Sequence, residues 1–200
     1  MRRGNGLLIS VFLFACFAIP ARAQQSIPSE RPWWVEFQLG EGQLQLASDQ
    51  FPGARSSTFA MGFAGGHRLG SRARIGLLLN GWLLQAFDLN NPTVGESVSN
   101  VMAVADVFPI PTVPLFLRGG TGAAFYENAR PEGNNGSGWA WMAGAGYEFR
   151  LGGRFGLAPI VDYSAGTFGD VRNPITVETG RRYSVVEFKI GVFWHFGKSE

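Results

Sequence analysis

Apolar side chains recur at every second position along most of this 200-residue chain. A spacing of two places successive side chains on opposite faces of a β-strand, so one face of each such segment is apolar. An exposed aromatic strand invites aggregation unless its side chains and its edge are covered. The last run, EFKIGVFWHF, shows the pattern most clearly, with an apolar row made of Phe188, Ile190, Val192, Trp194 and Phe196.

The same alternation predicts eight strands of about 9–14 residues. Short connections and longer polar connections alternate between them, which is typical of an up-and-down meander with short turns at one end and long loops at the other. An even number of strands places both chain ends on the short-turn side. The predicted short turns are 67–72, 109–114 and 151–153, and the predicted long loops are about 47–56, 88–97, 127–138 and 167–181.

The two faces of the meander differ in composition. One face carries large aliphatic residues with Trp and Tyr towards its ends, as lipid-facing strands do. The other face is rich in the chain's 28 glycines and in alanine, with isolated charges. In lipid a sheet must close on itself, and eight strands give a barrel that side chains can fill. The sequence predicts an all-β fold, an eight-stranded antiparallel up-and-down transmembrane β-barrel. The alternative is a soluble β-barrel or sandwich with its apolar face inward.

The N-terminus is typical of a secretory signal peptide. Arg2 and Arg3 precede an apolar run at 7–19, and Ala21 and Ala23 form an A-x-A cleavage pattern. The run of about 13 residues is shorter than the roughly 20 that a membrane helix needs. We therefore predict a signal peptide at 1–23 and a barrel at 24–200, with strands at roughly 33–196.

Lipoprotein processing at Cys16 is a weaker alternative for this segment. Cleavage after residue 23 would remove the only cysteine and three of the 17 Lys and Arg residues, leaving 14 against 15 Asp and Glu. We therefore expect no disulfide and no nucleic-acid partner.

Two stretches resemble small bacterial outer-membrane β-barrel proteins of the OmpA, OmpX and OmpW kind. Lys189, Gly191, Trp194 and Phe196 match the insertion signal at the end of such barrels, and DVFPIPTVPLFLRGGTGAAFY resembles their central strand-turn-strand. The resemblance implies a location in the cell outer membrane, contact with its lipid and insertion by the barrel-assembly machinery. We expect a monomer. The chain departs from the pattern in its tail, because residues 197–200 follow an aromatic residue that usually ends such proteins.

Alternation places a set of charged residues inside the barrel. An unpaired buried ion costs several kcal/mol, so we expect these charges to pair. Arg118 is placed to reach Asp106 or Glu148. Glu187 and Lys189 lie on the last strand, which borders the strand that carries Asp162 and the first strand, which carries Glu36. The predicted lumen charge network consists of Glu36, Asp106, Arg118, Glu148, Arg150, Asp162, Glu187 and Lys189. A structural plug is the favoured interpretation, and a narrow or gated pore is the alternative.

Catalysis is not expected. His67 and His195 are predicted at the short-turn end, whereas Ser164 and Asp162 are placed at the other end, and catalytic groups must lie within hydrogen-bond reach. We predict no catalytic, cofactor-binding or metal-binding residue and no cofactor. The leading function is a structural or surface-interaction role with a largely plugged lumen. The alternatives are an OmpW-like channel for small or hydrophobic solutes and, third, a lipid-modifying enzyme.

Overall fold

The structure is a computed structural model that describes residues 31–84, 96–128, 135–151, 153–172 and 177–197. The predicted signal peptide, Cys16, parts of the predicted loops and residues 198–200 of the tail lie outside the described residues. No helix in the described part of the chain is long and apolar enough to cross a membrane.

The described chain forms a closed antiparallel barrel. Each strand pairs with the next in sequence, and the last pairs with the first. The two-residue segment β7 continues the line of β6 past Glu148, so the barrel has eight strands. This confirms the predicted fold class. The segments are β1 Trp33–Ala47, β2 Arg55–Leu69, β3 Ala73–Leu83, β4 Glu96–Val107, β5 Leu115–Asn128, β6 Gly136–Tyr147, β7 Phe149–Arg150, β8 Phe155–Arg172 and β9 Val177–Phe196.

The strands are strongly staggered around the barrel. A path of directly paired residues that begins at Trp34 and passes once through every strand returns to β1 at Leu44, ten residues farther along the strand. Stagger of this kind accompanies a strand tilt of about 35–45°. As a result, residues on strands that are not neighbours meet at the same height across the lumen.

The two faces are divided as the alternation predicts. Side chains of the glycine-rich face point inward and are buried, whereas the apolar rows point outward. Trp33, Trp194 and Phe196 lie outward at the short-turn end, and Trp139 and Trp141 lie outward towards the other end. The arrangement fits a barrel whose solvent is lipid, with aromatic residues at both boundaries.

The predicted loop at 167–181 is wrong. β8 continues to Arg172 and β9 begins at Val177, so most of this segment is a paired hairpin. Register shifts on either side of Gly169, which has φ of 68°, allow the hairpin to bend. Polar and glycine residues there obscured the alternation. Pairing with β1 ends at Arg182 and pairing with β6 ends at Gly166, so the hairpin extends past the barrel wall.

Pro159 lies within β8 and cannot donate a backbone hydrogen bond. The ladder to the preceding strand is interrupted opposite it, which separates β6 from β7. The register is the same on both sides of the interruption. The proline therefore breaks one stretch of hydrogen bonding without turning the strand.

Candidate functional site

The inward face of the barrel is filled by ion pairs between strands. Arg118 on β5 donates from Nε and Nη2 to the two carboxylate oxygens of Asp106 on β4, at 2.7 and 2.9 Å. Its Nη2 also donates to Glu36 Oε2 on β1 at 2.8 Å. The three side chains are at most 1% exposed. Arg118 thus ties its neighbouring strand to the strand on the opposite side of the barrel.

Arg74 on β3 is the second buried guanidinium. It donates to Asp106 Oδ2 at 2.5 Å and to Glu148 Oε2 at 2.9 Å. Four rings enclose its charge, with the guanidinium carbon 4.3 to 5.4 Å from the ring centroids. These rings belong to Trp34, Phe108, Phe116 and Phe193. Cation–π contacts of this kind become stronger when water is excluded.

Glu148 lies between β6 and β7 near the short-turn end. Its Oε1 is 2.8 Å from His195 Nε2, and its Oε2 accepts the bond from Arg74. Arg150 Nε lies 3.3 Å from the same Oε1. Glu148 is therefore the hub of a layer of cationic groups at this end of the lumen.

A second polar cluster lies farther along the barrel, centred on Glu187 of β9. Asn80 Nδ2 and Lys189 Nζ donate to its Oε1 at 3.0 Å each, and Trp82 Nε1 donates to its Oε2 at 2.8 Å. Lys189 Nζ also lies 3.0 Å from Asp162 Oδ2. Because Asn80 and Trp82 are on β3, Glu187 connects opposite walls of the barrel.

Buried aromatic and polar residues line the inward face towards the long-loop end. Tyr183 and Asn100 hydrogen-bond to each other, and Phe168 stacks on Tyr183 at 5.2 Å. Above them Arg181 lies 4.2 Å over the ring of Tyr126. Arg181 also pairs with Glu96 at 3.0 Å and with Glu178. These contacts hold the base of the β8–β9 hairpin across the barrel mouth.

Inward glycines make room for the larger polar groups. A Cβ on Gly144 would lie 1.8 Å from Asp162 Oδ1, and one on Gly191 would lie 2.6 Å from Glu36 Oε1. A narrow barrel can therefore hold bulky charged side chains, because the positions that face them are glycines, which have no side chain. This explains why glycine alternates with charge on the inward face.

The eight charged residues predicted for the lumen all face inward, although their partners differ in part from expectation. Arg118 contacts Asp106 as expected, whereas Glu148 is held by Arg74 and His195. Glu36 binds Arg118 across the lumen. The remaining pairs join Lys189 to Asp162 and Glu187, and Arg150 to Glu148.

Arg74 and His195 belong to this network but were not assigned to it from the sequence. Arg74 lies just after the predicted turn at 67–72, where the apolar alternation has not yet begun. The strand nevertheless begins at Ala73. Extending the alternation of Leu78 and Gly76 backwards by one step would have placed Arg74 inside. His67, in contrast, faces outward and lies edge-on to Trp33 at 5.0 Å.

The four residues of the predicted insertion signal lie on both faces of β9. Lys189 and Gly191 face the lumen, whereas Trp194 and Phe196 face outward at the short-turn end. Trp194 stacks on Phe155 of β8, and Phe196 pairs with Trp33 of β1. Their role in insertion stays a prediction.

The network fills the inward face of the barrel with paired charges. Oppositely charged groups hold one another in place, and aromatic rings pack against them. Among the described residues, no group of three or more His, Cys, Asp or Glu side chains is arranged to hold a metal ion.

These features define the fold of the small outer-membrane β-barrels, and solved structures share it. Neisserial surface protein A is 16% identical, with a TM-score of 0.52 over 82% of this chain and 97% of that chain. Ail of Yersinia pestis is 11% identical, with a TM-score of 0.51 over 82% and 99%. The outer-membrane protein AlkL is 13% identical, with a TM-score of 0.51 over 91% and 97%. No protein-family model and no curated protein sequence matches the chain.

Proposed function

We propose that the chain is an ion-tight barrel of the cell outer membrane that presents its long-loop end at the cell surface. The observation that carries the proposal is the filled lumen. Glu36, Arg118, Glu187 and Lys189 are at most 3% exposed, although each lies on the inward face of a barrel wall. Water in an open pore would reach such groups. In this proposal the short-turn end faces the periplasm.

Three successive layers support closure. The cationic layer around Glu148 is followed by the Arg118 layer, and the Glu187 cluster lies beyond them. Opening a path would separate buried charges from their partners, and each separation costs about 3–5 kcal/mol. Thermal fluctuations would therefore open the lumen only rarely.

The extended β8–β9 hairpin supports a surface role. It projects beyond the pairing limits of β1 and β6, and Arg181 and Arg182 anchor its base to Glu96 and Asp49. Exposed loop residues on a rigid scaffold are where binding surfaces commonly lie. An anchored hairpin loses less entropy on binding than a free loop does.

The charge of this end indicates which ligands fit. Ail has been crystallised with the heparin analogue sucrose octasulfate. A polyanion of that kind needs a binding surface with more basic than acidic groups. The described long-loop end of this chain has no such surplus of basic groups. Its acidic side chains are Asp49, Glu96, Glu127, Asp170 and Glu178, and its basic side chains are Arg55, Arg181 and Arg182. The proposed surface therefore favours neutral or mixed-charge partners.

Two measurements test the proposal. Refolded protein in liposomes should not increase potassium efflux above that of empty liposomes, and a protein-dependent leak would contradict closure. Trypsin added to intact cells should cleave after the exposed Arg55 at the long-loop end. It should spare the exposed Arg72 in the short turn between β2 and β3. Cleavage after Arg72 with Arg55 intact would contradict the proposed orientation.

A further inference from the structure

We propose that the barrel mouth at the short-turn end binds an oxyanion of the phosphate class through Arg31, Arg68 and Arg150. The proposal does not depend on whether the long-loop end binds a partner. It follows from two buried guanidinium nitrogens at this mouth, Arg68 Nη2 and Arg150 Nε, that have no hydrogen-bond partner among the described residues.

The carboxylate of Glu148 is already occupied. One of its oxygens contacts His195, and the other accepts a hydrogen bond from Arg74. Arg150 Nε lies 3.3 Å from the first oxygen but makes no hydrogen bond. Arg150 therefore lies beside a carboxylate that two other groups hold.

Arg68 is almost fully buried at 5% exposure. Its Nε donates to Gly70 O at 3.0 Å, and its guanidinium lies 5.1 Å from the centroid of the Phe108 ring. Its Nη2 is buried and has no hydrogen-bond partner. A buried donor without an acceptor costs about 1–3 kcal/mol, and more when the group is charged. An anion at the mouth would satisfy it.

The arginines converge although they come from different parts of the wall. The guanidinium groups of Arg68 and Arg74 both lie against the ring of Phe108, 5.1 and 5.4 Å from its centroid. Arg74 and Arg150 in turn both lie within 3.3 Å of Glu148. Arg31 Nη1 also lies 3.5 Å from the backbone oxygen of His195. The three arginines thus lie at the same end of the barrel.

The surrounding turns supply no compensating acid. The described residues of 31–33, 67–73, 108–115, 149–155 and 196–197 include no Asp or Glu. They include the further exposed arginines Arg72 and Arg154. The short-turn end is therefore basic, whereas acidic residues gather at the long-loop end.

Guanidinium groups bind phosphate through paired N–H donors, and several such groups together favour a doubly charged tetrahedral anion over a single carboxylate. The phosphate could be a free anion or the head group of an anionic phospholipid. Both present the same oxygens to the arginines.

The test uses the refolded protein in a phosphorus-free, nonionic detergent. Calorimetric titration with inorganic phosphate at low salt should show saturable binding, with acetate at least about tenfold weaker because it offers one charge. Arg150→Gln should weaken phosphate binding about tenfold or more, and Arg31→Gln serves as a second variant. Arg182→Gln, which removes an exposed arginine at the other end, should leave it unchanged. A mobility shift on unheated gels establishes that each variant is folded.

A second arm separates the two sources of phosphate. In nanodiscs, phosphatidylglycerol should raise the unfolding temperature over phosphatidylcholine alone if a head group binds, and Arg150→Gln should abolish the increase. Saturable binding of free phosphate assigns the site to a soluble anion. Phosphate binding and the increase in unfolding temperature with phosphatidylglycerol each support the proposal. Absence of both effects, an equal response to acetate, or an equal loss in Arg182→Gln would overturn it.

Discussion

Arg118 and Asp106 are directly opposite each other on β5 and β4, and two hydrogen bonds of 2.7 and 2.9 Å join them in a fully buried, two-point contact. The same guanidinium reaches Glu36 across the lumen. Arg118 therefore supplies the ion pair of Glu36, and it shares Asp106 with Arg74.

Arg118→Gln should destabilise the barrel by about 3–5 kcal/mol, because it leaves the buried Glu36 without its cation and leaves Asp106 with Arg74 alone. Urea unfolding of the refolded protein in lipid vesicles measures the change. The control is Arg182→Gln, which breaks an exposed pair with Asp49 and should cost less than about 1 kcal/mol. Equal losses in the two variants would show that the buried network adds no stability.

Gly122→Ala should be destabilising by about 1–3 kcal/mol, because the new Cβ would lie 2.0 Å from the backbone oxygen of Val101. Gly119 is on the same strand but has open space around it, so Gly119→Ala should be close to neutral. Urea midpoints of the two variants provide the comparison. A neutral Gly122→Ala would mean that the strands can separate to admit a methyl group.

Leu77→Arg should destabilise the barrel by about 2–4 kcal/mol in a bilayer, because Leu77 is an outward residue in the middle of a strand and 62% exposed. Phe51 is similarly exposed but lies in the connection between β1 and β2. Phe51→Arg should therefore have little effect. If Leu77→Arg were as stable as Phe51→Arg in vesicles, the outward belt would not contact lipid.

Phe196→Ser should reduce the amount of folded barrel in the outer membrane several-fold while leaving refolding from urea unchanged, if the C-terminal pattern acts as an insertion signal. Phe155→Ser is the matched control, because it removes an outward aromatic residue at the same end of β8. Heat-modifiable protein in membrane fractions measures assembly. A comparable decrease for Phe155→Ser would mean that aromatic anchoring, not a signal, explains the loss.

The recurrence of apolar side chains at every second position is sufficient to predict the barrel and the inward direction of all eight network charges. It could not predict most partners, because these depend on the stagger between strands. Glu36 meets Arg118, and Glu187 meets Trp82, only because the path around the barrel returns ten residues along β1. Neither pair is on neighbouring strands. Strand ends were the other source of error, since Arg74 and the β8–β9 hairpin both lie where alternation gives way to glycine and polar residues.

The single-channel current of the wild-type protein in a planar lipid bilayer tests closure of the lumen most directly. The buried layers around Glu148, Arg118 and Glu187 predict no stable current above the bare bilayer, at any salt concentration at which the barrel stays folded. A reproducible, discrete conductance from folded barrels would contradict the closed lumen and would favour a narrow pore.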